Sequence, residues 1–153
     1  MTMIILISLH ILAAVIWVGG MFFAYMALRP VAAKLLEPPL RLTLWSQVFK
    51  RFFPWVWAAI ITLLISGIWM VFNVFGGISN IGPHVHIMLV LGLLMMFMFM
   101  HLFFSPYQRL TLAVTEQNWP TAGKALNQIR QIIAINLTLG LIVVAVAASG
   151  RYF

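Results

Sequence analysis

The stretch MIILISLHILAAVIWVGGMFFAYMAL, residues 3–28, carries no charge at any of its 26 positions. A helix rises about 1.5 Å per residue, so this run crosses the ~30 Å hydrocarbon layer of a bilayer with residues to spare. It is too long for the apolar centre of a secretory leader, and no Lys or Arg precedes it, so it reads as a permanent span. Three further runs have the same character: residues 55–75, 86–104 and 132–149. All are continuously apolar, which excludes the alternating pattern of a membrane β-barrel. The expected fold class is all-α: an integral membrane four-helix bundle, forming a single transmembrane domain over residues 1–153.

Composition leads to the same class. The chain has 153 residues, 64% of them hydrophobic and 7% charged, with a mean hydropathy of +1.09. A soluble domain keeps roughly a quarter of its residues charged. This chain does not, so the lipid bilayer is its principal partner. There is no cysteine, which removes disulfides and thiolate metal sites. A formal net charge of +7 would point to nucleic acid in a soluble protein. Here it reflects basic membrane loops, and no nucleic-acid partner is expected.

Those loops set the topology. Arg29, Lys34, Arg41, Lys50 and Arg51 lie between spans one and two, and Arg109, Lys124 and Arg130 between spans three and four. The loop at 76–83 has no Lys or Arg. Positive loops stay in the cytoplasm, so the expected orientation is N-out/C-out in a bacterial inner membrane. Arg151, just past the last span, is the single exception. Pro39 is placed to begin a helix. Residues 40–53 then read as an interfacial amphipathic helix between spans one and two, turned into span two at Pro54. Span three is expected to continue past Pro106, and Asn118-Trp119-Pro120 to turn the chain into a helix leading directly to span four.

The donor side chains follow from depth. His10 lies about 20 residues back from Arg29, and His84 and His86 about 20 back from Ser105 and Pro106. Three histidines from two spans thus share one level near the outer boundary. The only acids, Glu37 and Glu116, sit in the opposite loops. Imidazole binds copper, zinc or haem iron. On span three, Met88, Met95, Met98 and His101 fall within roughly 40° of the direction of His84, forming one donor face across the membrane. Thioether sulfur suits Cu(I), although methionine also serves as an ordinary core filler.

Trp17 reads as core packing, and Gly20 with Ala24 as a small-residue pair for close helix approach. Thr62, Ser66, Asn136 and Thr138 are candidates for hydrogen bonds between helices. No carboxylate pair, phosphate loop or nucleophile–base arrangement is visible, so no catalytic residue is assigned. Metal transfer or electron transfer remains.

The stretch Leu9-His10-Ile11-Leu12-Ala13-Ala14-Val15-Ile16-Trp17-Val18-Gly19-Gly20 resembles the first helix of the copper resistance protein D (CopD) family. His84-Val85-His86 and His101-Leu102-Phe103-Phe104-Ser105-Pro106 resemble a later helix of that family. The resemblance implies an inner-membrane protein of copper uptake or resistance, in a compact four-span form whose complete pathway would call for a homo-oligomer. The opening pattern also resembles HemJ-type protoporphyrinogen oxidases, which implies a b-type haem and oxidoreductase activity. Two readings stand side by side, and a third is a small helical accessory subunit with no cofactor. In the first, His10, His84 and His86 bind copper, Met88, Met95, Met98 and His101 pass it on, and a periplasmic copper partner supplies it. In the second, His10 and one of His84 or His86 ligate haem b, and a periplasmic electron-transfer partner exchanges electrons with it.

Overall fold

The computed structural model describes residues 1–152; the side chain of Arg151 and the whole of Phe153 lie outside the described residues. Every regular element among the described residues is helical, and four helical stretches are long and apolar enough to cross a membrane. An even number of crossings puts both termini at one end, the terminal end. The loops rich in Lys and Arg form the other, basic end.

The first stretch comprises α1 (Thr2–Phe23), a π-helical turn (Ala24–Leu28) and α2 (Arg29–Leu35). Pro30 explains the turn. A proline within a helix removes one backbone bond and crowds the carbonyl four residues earlier. Widening the preceding turn relieves that crowding, and the Arg29 N–H reaches back five residues to the Ala24 carbonyl.

The second stretch is α3 (Pro38–Asn73), a single helix of 36 residues that begins one position before Pro39 and runs through Pro54. At ~1.5 Å per residue it measures about 54 Å, well beyond the hydrocarbon thickness. Residues 40–53 are therefore continuous with span two and form the part of this helix that extends beyond the hydrocarbon. Their apolar face packs on protein: Leu42, Trp45, Phe49 and Phe53 are all buried.

The third stretch is α4 (Pro83–Phe104) followed by α5 (Pro106–Thr115). Ser105 departs from helical geometry (φ −121°, ψ −84°), where Pro106 disfavours the helical conformation of the residue before it. The chain reverses at Gln117, whose φ is +55°. The Asn118 side chain then caps α6 (Trp119–Ser149) by accepting the Thr121 N–H at 3.2 Å. As expected, α6 runs unbroken from this turn through span four.

The helices pair: α1 packs mainly on α3, and α4 and α5 on α6. Aromatic rings lock the two pairs together. Phe99 of α4 meets Trp17 of α1 at 6.2 Å and Phe53 of α3 at 5.2 Å, both edge-on. Phe53 in turn stacks on Phe49 at 5.0 Å. Gly20 makes room for the Phe52 ring, so α1 and α3 approach closely there. The exterior is apolar, with Ile4, Val15, Phe22, Ile65, Phe72, Val90, Phe97 and Leu141 among its exposed residues. This is how a protein solvated by hydrocarbon distributes its side chains.

Candidate functional site

His10 faces α3. Its Nδ1 lies 2.7 Å from the hydroxyl of Ser66, and its Cε1 lies against Gly67. The Ser66 hydroxyl proton is already used, since that oxygen donates to the Thr62 carbonyl one turn back. Ser66 therefore accepts, and His10 Nδ1 carries the proton. This assignment leaves His10 Nε2 with a free lone pair. Ser66 is 1% exposed, so water does not replace it as a partner. The match follows from antiparallel register. His10 lies eight residues into α1 and Ser66 seven residues before the end of α3. Both positions are therefore about 10–12 Å from the terminal end of their helix.

His84 occupies a cradle of glycines. A Cβ on Gly82 would lie 3.0 Å from its Cε1, and one on Gly150 would lie 2.6 Å from its Cδ2. Any side chain at Gly150 would thus displace the imidazole. The Nδ1 of His84 is buried and has no hydrogen-bond partner. A buried polar nitrogen in that condition costs about 1–3 kcal/mol unless something binds it. His86 differs: it is exposed, and its Nδ1–H donates to the Gly82 carbonyl at 3.1 Å.

The histidines thus belong to different parts of the bundle. His10 is seated on the α1–α3 pair, while His84 is seated on the α4–α6 pair. Among the described residues, no group of three or more His, Cys, Asp or Glu could hold one metal ion.

The donor residues expected on α4 differ in their surroundings. Met88 and Met98 are half-buried, Met95 is buried at 3% exposure, and His101 is exposed. Met95 sits at the interface with α6: its backbone carbonyl accepts from Asn136 Nδ2 at 3.2 Å. Its Cε would lie 3.1 Å from a Cβ on Gly140. Asn136 is itself buried, and its Oδ1 has no partner.

Of the four polar residues expected to bond between helices, Ser66 and Asn136 do so. Thr62 and Thr138 instead bond the carbonyl four residues back in their own helices. Trp17, expected in the core, is 2% exposed. Sequence reasoning missed the role of Ser66 toward His10 and that of Gly150 toward His84. The first is detectable by matching depths across the α1–α3 pair. The second has no local signal, because Gly150 and His84 are far apart in the chain.

The fold and these side chains define a small polytopic helical membrane protein whose spans offer imidazole and thioether donors but no carboxylate or thiol. Residues 46–149 match the family described as Copper resistance protein D. The match covers more than half of the chain, and the chain belongs to that family. No curated protein and no solved structure matches it significantly.

Proposed function

We propose that the chain binds copper(I) at the terminal end and passes it through the bundle. The observation that carries this reading is the His10–Ser66–Thr62 relay. It supplies, within an apolar bundle, an imidazole whose Nδ1–H is anchored and whose Nε2 is free, the arrangement that protein metal ligands use. Membership of a family named for copper resistance supports copper as the metal.

In this reading His84, seated on the other helix pair, offers its unpartnered Nδ1 as a separate donor for the ion. His86, exposed on the first turn of α4, captures the ion at the rim. Met88, Met95, Met98 and His101 carry it onward by ligand exchange. Thioether and imidazole donors match the softness of Cu(I), so the cargo is the reduced ion. The charge asymmetry of the loops supports an orientation with the termini outside, in a bacterial inner membrane. A periplasmic copper partner would then meet the histidine end, and a homo-oligomer would complete the route.

The test is competition between the purified protein and a chromophoric Cu(I) chelator. His10→Ala and His84→Ala should each weaken copper binding by about tenfold or more, at least the cost of losing an outer partner of a metal-bound histidine. His86→Ala should change the rate of uptake more than the affinity. Undiminished copper binding in a variant carrying His10→Ala, His84→Ala and His86→Ala together would refute the reading. A dithionite-sensitive Soret band in the same preparation, lost with His10→Ala, would replace copper by haem b.

A further inference from the structure

We infer that the basic end holds an anionic phospholipid, its phosphate among Arg29, Arg41 and Arg130 and its first methylenes on the aromatic floor beneath them. The place is a half-open cavity of about 710 Å³ lined by the π-turn with α2, by α3 and by α6. That size is within the range of cavities that bury small ligands, roughly 300–1,000 Å³. This inference does not depend on copper.

Three guanidinium groups line the cavity, and neither Glu37 nor Glu116 does. Each is positioned by a neutral neighbour. Arg29 lies over the Tyr25 ring at 4.7 Å, Arg41 donates to the Ala33 carbonyl at 3.5 Å, and Arg130 donates to Asn127 Oδ1 at 2.7 Å. A guanidinium has five N–H donors, so these contacts leave most of them available. Three cations on one cavity without a carboxylate among them repel one another, and a phosphate among them removes that repulsion with charge-assisted bonds.

The lining also changes with depth. Going inward from Arg41, α3 presents Trp45 and then Phe49. From Arg130, α6 presents Ile133, and from Arg29 the π-turn presents Met26 and Ala24. Ala24, Phe49 and Ile133 also line a second, apolar cavity of about 160 Å³. A cationic mouth above an apolar floor is complementary to an amphiphile. Basic pockets between spanning helices at the positive side are used for anionic headgroups. The π-turn contributes Ala24, Tyr25 and Met26 to the wall, and Arg29 follows directly after it.

Trp45 and Trp119 line the cavity and report on it. The full chain in a neutral detergent is titrated with short-chain phosphatidylglycerol, short-chain phosphatidylcholine or inorganic phosphate, and tryptophan fluorescence is recorded. Phosphatidylglycerol should saturate the signal at a concentration at least tenfold below that of phosphatidylcholine. Inorganic phosphate should neither produce the change nor displace the lipid. Arg29→Gln with Arg130→Gln should weaken phosphatidylglycerol binding by about tenfold or more. Lys50→Gln with Arg51→Gln removes as much charge outside the cavity and should leave it unchanged. Retention of wild-type thermal stability checks that each variant is folded, and lipid carried through purification, counted by native mass spectrometry, gives a second readout for any that is not. Equal affinity for the two lipids would overturn the inference. So would competition by phosphate alone, or equal losses in the two double variants.

Discussion

Replacing Ser66 with alanine removes one oxygen atom and almost no volume, which makes it a sharp probe of the proposed metal end. Ser66 is buried, so the lost hydroxyl leaves no space for a substitute water. The His10 Nδ1–H then has no acceptor, at a cost of about 1–3 kcal/mol to the folded protein. The imidazole also loses the bond that fixes its tautomer and rotation. Outer partners of metal-bound histidines are worth about 10–100-fold in metal affinity. At about 1.4 kcal/mol per factor of ten, that is roughly 1.4–2.8 kcal/mol. The expected result is therefore a Cu(I) affinity lowered by 10–100-fold with a modest loss of thermal stability. Chelator competition and differential scanning fluorimetry on the same preparation measure both. Unchanged affinity together with lowered stability would show that the relay serves helix packing alone, and His10 would leave the mechanism.

Cysteine placed at Ser79 should react with impermeant maleimide in intact cells, while cysteine at Thr115 should react only after lysis; the reverse pattern would put the histidines at the cytoplasmic face. Gly140→Ala should destabilise the bundle by about 1–3 kcal/mol, since its Cβ would come within 2.9 Å of Val18 Cγ2 and 3.1 Å of Met95 Cε. Gly19→Ala, with no atom within 4 Å of the new methyl, should leave thermal unfolding in detergent nearly unchanged or slightly improved.

The spans were legible because a bilayer imposes length and apolarity together, and few other environments reward 26 uncharged positions. Their extent beyond the bilayer was not. Residues 40–53 have an amphipathic pattern that a membrane surface and a protein surface satisfy equally. Only the burial of Trp45, Phe49 and Phe53 identifies the partner as protein. Depth counting put the three histidines at one level, but His10 lies eight residues into α1 whereas His84 is the second residue of α4, and counting gives no direction around a helix. Direction decides that His10 meets Ser66 while His84 meets Gly150. The arginine-lined cavity was hidden for a different reason. Its cations already had an explanation as topological charges, and the π-turn that gathers one wall depends on how the helix absorbs Pro30.

The centre of the bundle constrains what can pass through it. Trp17, Phe53, Trp57 and Phe99 pack edge-on across the middle, Phe99 meeting Trp57 at 5.4 Å. A hydrated ion cannot cross such packing without an opening, and a bare charge in an apolar interior is prohibitively costly. A soft monovalent ion exchanging between fixed donors avoids both costs. Met95 is the decisive donor on the proposed route, because it is buried beside Gly140 with Asn136 bonded to its carbonyl. Leucine at Met95 and Met98 conserves volume, so stability should change by less than about 1.5 kcal/mol per site. With His101→Phe added, binding at the terminal end should persist. Copper delivered into liposomes holding the variant, read by a trapped Cu(I) dye, should fall by about tenfold or more. Separating binding from passage in this way assigns the methionine face to transport. Undiminished delivery by the folded triple variant would make Met95, Met98 and His101 ordinary parts of the packing, and a route along α4 would have to be abandoned.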